Sequence, residues 1–114
     1  VHDMWARHDT VFASSGYQGL IILTFDTLTP KFNLVSSLTV YDHAGYNHSS
    51  TWSMDGKTLI MMDEVPNSLP AKVVNVEDIT QPYVTAYFNS SKTASSCSIS
   101  VLASKAWTTT CPRP

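Results

Sequence analysis

Tyr46-Asn47-His48-Ser49-Ser50-Thr51-Trp52-Ser53-Met54-Asp55-Gly56-Lys57-Thr58-Leu59-Ile60-Met61-Met62-Asp63-Glu64 is the stretch on which the reading of the fold turns. Asp-Gly accepts the positive φ angles of a type I′ hairpin turn, so residues 54–57 are expected to join two antiparallel strands, 50–54 and 58–63. Helix is a poor alternative, because the segments are short, rich in Thr, Ile, Trp and other strand formers, and broken by glycine and proline. No run of ten or more residues with helical periodicity exists anywhere in the chain.

Outward from this hairpin, the same order of signals recurs upstream. His2-Asp3-Met4-Trp5 echoes His48 to Trp52 at an offset of 46 to 47 with a one-residue slip. Thr10-Val11-Phe12-Ala13 matches Thr58-Leu59-Ile60-Met61 at offset 48, and Ile21-Ile22-Leu23 matches Lys72-Val73-Val74 at offset 51. The growing offset places small insertions in connecting loops. Each copy reads as four strands, 3–7, 10–15, 20–25 and 34–41 in the first and 50–54, 58–63, 71–76 and 83–89 in the second. Four antiparallel strands recurring at this period fit the blade of a β-propeller. A sandwich is the architectural competitor, but it would not ordinarily repeat His, Trp, an apolar third strand and a loop proline in the same order.

The chain has 114 residues, 43% hydrophobic and 14% charged, with a formal net charge of -2. Seven scattered Lys and Arg residues offer no basic stripe for nucleic acid, and no apolar run approaches the ~20 residues of a membrane helix. The first residue is Val1, without a leader-like segment, so a fragment or processed product is expected. From Asn89 onward the composition changes. Residues 89–114 hold seven Ser, four Thr, no acid and both cysteines, and only 98–102 suggest a strand. The expected organisation is therefore two repeats over 1–88, about 2–46 and 47–88, and a divergent Ser/Thr-rich tail over 89–114.

Leu20-Ile21-Ile22-Leu23-Thr24, and Lys72-Val73-Val74-Asn75-Val76-Glu77-Asp78 followed by Pro82, resemble the LVIVD repeat, in which an apolar strand ends in Asp and runs into a proline-flanked turn. The repeat-opening His and Trp and the Tyr17-Gln18-Gly19-Leu20 segment are similar to that family too. Its longer members include the bacterial surface proteins called choice-of-anchor B proteins. Two departures stand out: the strand-ending Asp is Thr24 and Asn75 here, and Ile79 replaces the first turn proline. The resemblance implies a secreted or cell-surface propeller and brings no catalytic motif with it.

Chemistry-bearing residues are few. His2 and His48 occupy equivalent repeat positions, where a structural polar role is expected; in a closed propeller they would instead approach the central channel. His43 lies on the loop entering the second copy and His8 at the first hairpin turn, so these two are expected at opposite ends. Adjacent strand residues point to opposite faces, so at most one of Asp63 and Glu64 would face a given site, and a solvated strand end is expected for the pair. Trp5, Trp52, Tyr46, Tyr83, Tyr87 and Phe88 are expected in the core, as is the Met61-Met62 pair, while Tyr17 and Tyr41 sit at loop borders as surface candidates. Cys97 and Cys111 could close one disulfide loop in an oxidising compartment. Asn47-His48-Ser49 and Asn89-Ser90-Ser91 are formal glycosylation sequons. EF-hand, phosphate-loop, nucleophile-elbow and zinc-helix motifs are absent.

The expectation is an all-β chain of two four-stranded antiparallel propeller blades. Its loops over 14–19, 41–48 and 63–68 would share one face, with Tyr17, Gln18, Tyr41, His43, Tyr46, His48, Asp63 and Glu64 as candidate binding residues. That face suits non-catalytic recognition of a protein or glycan outside the cell, with no cofactor, and with further blades or another copy of the chain as structural partners. A metal-assisted enzyme is the competing class, and it requires His2, His48 and Asp63 or Glu64 to converge.

Overall fold

The computed structural model describes residues 1–89, 98–101 and 107–110, and every described element is a strand. β1 (Asp3–Arg7), β2 (Thr10–Ser14), β3 (Leu20–Asp26) and β4 (Lys31–Leu38) form one antiparallel sheet in that order. β5 (Asn47–Trp52), β6 (Thr58–Asp63), β7 (Ala71–Asn75) and β8 (Tyr83–Phe88) form a second with the same order. β9 (Ser98–Val101) and β10 (Trp107–Thr110) pair as a separate antiparallel ladder, so the tail carries a second strand where the composition suggested one. Cys97 and Cys111 lie outside the described residues.

The two sheets are built on one template. A β-bulge interrupts the β3–β4 ladder between Ile22 and Leu23, and another interrupts the β7–β8 ladder between Val73 and Val74, 51 positions later. In the second, Thr85 is the extra residue, and its hydroxyl donates to the Val73 carbonyl at 3.0 Å. The loops beyond β3 and β7 match as well. The Asp26 carboxylate accepts from the Leu28 and Thr29 amides and the Thr29 hydroxyl, and Asp78 accepts from the Thr80 amide and hydroxyl. These bonds hold both carboxyls below the usual carboxylate range, the threonine hydroxyl contributing most.

β1 and β5 run side by side in the same direction. His2 and His48 meet at their starts, and near their ends the Arg7 Nη1 donates to the Met54 carbonyl at 2.9 Å with its guanidinium over the Trp52 ring. On the outer strands' side, the Ser36 hydroxyl donates to the Ile79 carbonyl. Two sheets with the same strand order and direction stack only with the front of one on the back of the other. The shared core follows that rule: Phe12, Leu20, Ile22 and Leu38 from the first sheet meet Leu59, Met61, Val74 and Val76 from the second. The 48-residue equivalent of Phe12 is Ile60, which lies on the opposite side of its sheet from Leu59 and Met61.

That geometry corrects two readings of the sequence. Trp5 pairs with Phe12, whereas the residue paired with Ile60 is Thr51, so the structural counterpart of Trp5 is Thr51 and the Trp5–Trp52 echo is displaced by one residue. In a strand, such a slip sends a side chain to the other face. Trp52 consequently packs against Phe12 with ring centroids 4.7 Å apart, while Trp5, on an edge strand, is exposed. Tyr83, Tyr87 and Phe88 are also exposed, because among the described residues the outer strand β8 has a neighbour on one side only; Met61 is fully buried.

The second correction concerns the Asp55-Gly56 turn. A type I′ turn needs positive φ at both central residues, but Gly56 takes φ 76° and Asp55 does not follow. The Asp55 carboxylate instead accepts from the Lys57 amide at 3.0 Å and the Ser53 hydroxyl at 2.6 Å, and the Gly56 amide donates to the Ser53 carbonyl. A side chain bonded two residues onward closes the longer loop without left-handed backbone at Asp55.

Candidate functional site

One end of the paired sheets gathers three loops: β2–β3 (15–19), β4–β5 (39–46) and β6–β7 (64–70). Main-chain bonds tie them together. Gly16 and Asn47 exchange N–H···O bonds of 3.1 and 3.0 Å, the Tyr46 amide donates to the Val65 carbonyl at 2.8 Å, and the Glu64 amide donates to the Tyr46 carbonyl at 2.8 Å. Gly16 is required in this arrangement. Its φ is 61°, and a Cβ there would stand 2.6 Å from the Tyr46 ring.

Beneath the loops lies a buried polar anchor. The Lys72 ammonium meets the Asp63 carboxylate at 2.8 Å, and neither side chain reaches solvent. The Tyr41 hydroxyl donates to the same carboxylate at 3.2 Å and the Gly45 amide at 2.9 Å. Burial, and then the Asp63 charge, push the Tyr41 phenol far above its ordinary value, so it stays a proton donor. Asp63 is therefore not a solvated strand end, and Tyr41, expected at the surface, is partly buried. Register explains both, since Asp63 shares the inward face of β6 with Leu59 and Met61, and Tyr41 packs against the core beneath the loop. Lys72 matches no site motif in the sequence. Its signal was a lysine standing at the strand position where the first copy has Ile21.

Above the anchor is a cluster on the outer surface. The His2 and His48 rings are 4.0 Å apart at their centroids, and the His48 Nε2 lies 3.9 Å from a Glu64 carboxylate oxygen. One ligand atom each from His2, His48 and Glu64 falls within 4.8 Å of the others. His2 is fixed by its own amide, which donates to the Ser14 carbonyl at 2.7 Å. Tyr46 stands edge-on to His2 at 6.0 Å, and Tyr17, 75% exposed, stands edge-on to Tyr46 at 5.1 Å. The Gln18 side chain is exposed on the same loop, whose turn its amide closes on the Ser15 carbonyl.

The structure thus brings Tyr17, Tyr46, His48 and Glu64 together with His2. It does not bring His43 there: this residue, at φ 55°, packs against Tyr87 of the outer strand at 5.4 Å. Asn47 opens β5 fully buried, so its sequon is closed to a glycosyl transferase in the folded chain. Among the described residues no helix is long and apolar enough to cross a membrane. No family model matches the chain, and no curated protein or solved structure matches it.

Proposed function

We propose that the chain forms two consecutive blades of a larger LVIVD-like β-propeller, of the secreted or cell-surface kind, whose loop end recognises a protein or glycan without catalysis. The observation that carries the recognition reading is the three-loop end, where main-chain bonds hold exposed Tyr17 against the partly buried Tyr46 as an aromatic corner beside His2, His48 and Glu64. Loops fixed by a rigid sheet scaffold are the usual carriers of binding, and aromatic rings with a polar rim suit both sugar faces and protein anchors. Front-on-back stacking supports the blade reading, because it is how a rotation about a common axis repeats one sheet after another. The same rotation, continued, would cover the outward face of each sheet with a further blade or a second copy of the chain.

The test is binding of a panel of oligosaccharides and extracellular proteins to the full chain, compared with Tyr17→Ala. Loss of binding in the variant, with an unchanged circular dichroism spectrum, is expected. A ligand bound equally by both would place recognition elsewhere. The second reading, a metal-assisted enzyme, is favoured by one specific observation, the approach of two imidazoles and a carboxylate at this end. Hydrolysis of a bound ligand that requires added metal would move the function to that class.

A further inference from the structure

From the placement of His2, His48 and Glu64 we infer a binding site for one divalent transition-metal ion of the zinc type, clamped between the two sheets. Two imidazoles and one carboxylate form a donor set that zinc accepts, with a fourth position left for water or an incoming oxygen donor. Calcium and magnesium are disfavoured by the same set, since they take oxygen ligands.

The three donors are near neighbours. Ligand atoms about 2.0–2.1 Å from a tetrahedral ion stand roughly 3.3–3.5 Å from one another. The three atoms here lie within 4.8 Å, and the two imidazoles, stacked with centroids 4.0 Å apart, must swing apart and turn their in-plane nitrogens toward a common point to complete the set. Each ligand comes from a separately fixed piece of backbone. His2 leads into β1, Glu64 follows β6 on an amide bonded to Tyr46, and His48 is the extra residue of a bulge between Asn47 and Ser49 in the β5–β6 ladder. A bulge re-aims the side chain it carries, and here it turns His48 toward His2 instead of along the regular pleat.

Two consequences follow from the position of the site. It joins the first strand of one sheet to the first strand of the next, so the ion would staple the front-on-back pair at its loop end. The site lies beside Tyr46, within the surface assigned above to recognition, although metal binding itself does not depend on that assignment.

Titration of the full chain with Zn²⁺ alone tests the site, with Co²⁺ as a visible-absorption probe of coordination and Ca²⁺ as a control. One Zn²⁺ per chain is expected, with no comparable binding of Ca²⁺ and no thiolate band in the Co²⁺ spectrum. His48→Gln and Glu64→Gln each remove a ligand and should weaken binding by at least about tenfold, the loss already typical when only a ligand's outer partner is removed. Glu64 is exposed, so Glu64→Gln keeps the test valid even where His48→Gln perturbs the bulge. Absence of Zn²⁺ binding overturns the inference. So does binding unchanged in both variants, which would place the ion elsewhere in the chain, or binding abolished by Cys97→Ser with Cys111→Ser, which would place it on thiols.

Discussion

Asp63 and Lys72, nine positions apart in the chain, meet at 2.8 Å across the β6–β7 hairpin with both side chains shut off from water. The pair faces the neighbouring sheet, and Tyr41 and Gly45 complete the coordination of the carboxylate from the loop above. Its position explains how a loop-built surface is held still: the β4–β5 loop is tied to the charge that ends β6.

Removing one member leaves the other as an unpaired charge in a dry site. Asp63→Leu or Lys72→Met is expected to cost about 3–5 kcal/mol, whereas the double variant recovers most of that loss because no charge remains to be desolvated. Urea denaturation of the two single variants and the double variant measures the cycle. Additive losses would show that the two groups do not act as a pair.

The Tyr41 phenol supplies a pH signature. Its folded value is raised above the ordinary ~10 by burial and by the Asp63 charge, so folding favours the protonated form. The corresponding stability is fully present below about pH 10 and is lost as pH rises through the folded value. Tyr41→Phe should be less stable than the parent by about 1–2 kcal/mol at pH 8, with the gap narrowing above pH 10. Denaturation midpoints measured from pH 8 to 11 check this, and the comparison cancels other groups that titrate in alkali. A gap independent of pH would contradict it.

Gly16 is the hinge on which the β2–β3 loop meets Tyr46. Gly16→Ala forces a Cβ onto left-handed backbone and against the ring, at a cost of about 1–3 kcal/mol. Because Tyr46 carries the edge contacts to both Tyr17 and His2, the variant should also shift the aromatic and imidazole proton resonances of those residues. A fall in melting temperature without those shifts would separate strain from displacement of the ring.

Strand order was legible because the apolar segments and their glycine and proline punctuation are local signals. The expected strands 3–7 and 58–63 coincide with β1 and β6, and the 51-residue offset between the third strands is the offset between the two bulges. Facing was harder to read. Front-on-back stacking makes Phe12 inward and its equivalent Ile60 outward, so equivalent positions see different neighbours and a repeated tryptophan need not be a repeated contact. The Asp63–Lys72 pair was illegible for a related reason, since it depends on which face of β7 meets the other sheet. The convergence of Glu64 with His2 and His48 depends on the bulge at His48, which no residue type announces.

Front-on-back stacking also predicts what the outward faces do. On the first sheet, Met4, Phe32 and Leu34 pair with Ala13, Phe25 and Leu23 on the side away from the core, and they are 57%, 58% and 69% exposed. On the second, the face opposite the core carries Ile60, Val73 and Ala86 in one cross-strand row, in which Ile60 is already buried, Val73 is partly buried and Ala86 is exposed. These surfaces are the repeat equivalents of the two that already meet, so in a stack of such sheets each would face the other on a second copy. The chain is expected to self-associate head to tail, with sedimentation that depends on concentration. Leu34→Lys, which sets a charge in the middle of one surface, should weaken association by at least about tenfold, or ~1.4 kcal/mol, and leave the monomer folded. A Leu34→Lys variant that associates as the parent does would exclude this face. A parent that stays monomeric would mean that the outward faces do not pair with each other, and would count against the blade arrangement itself.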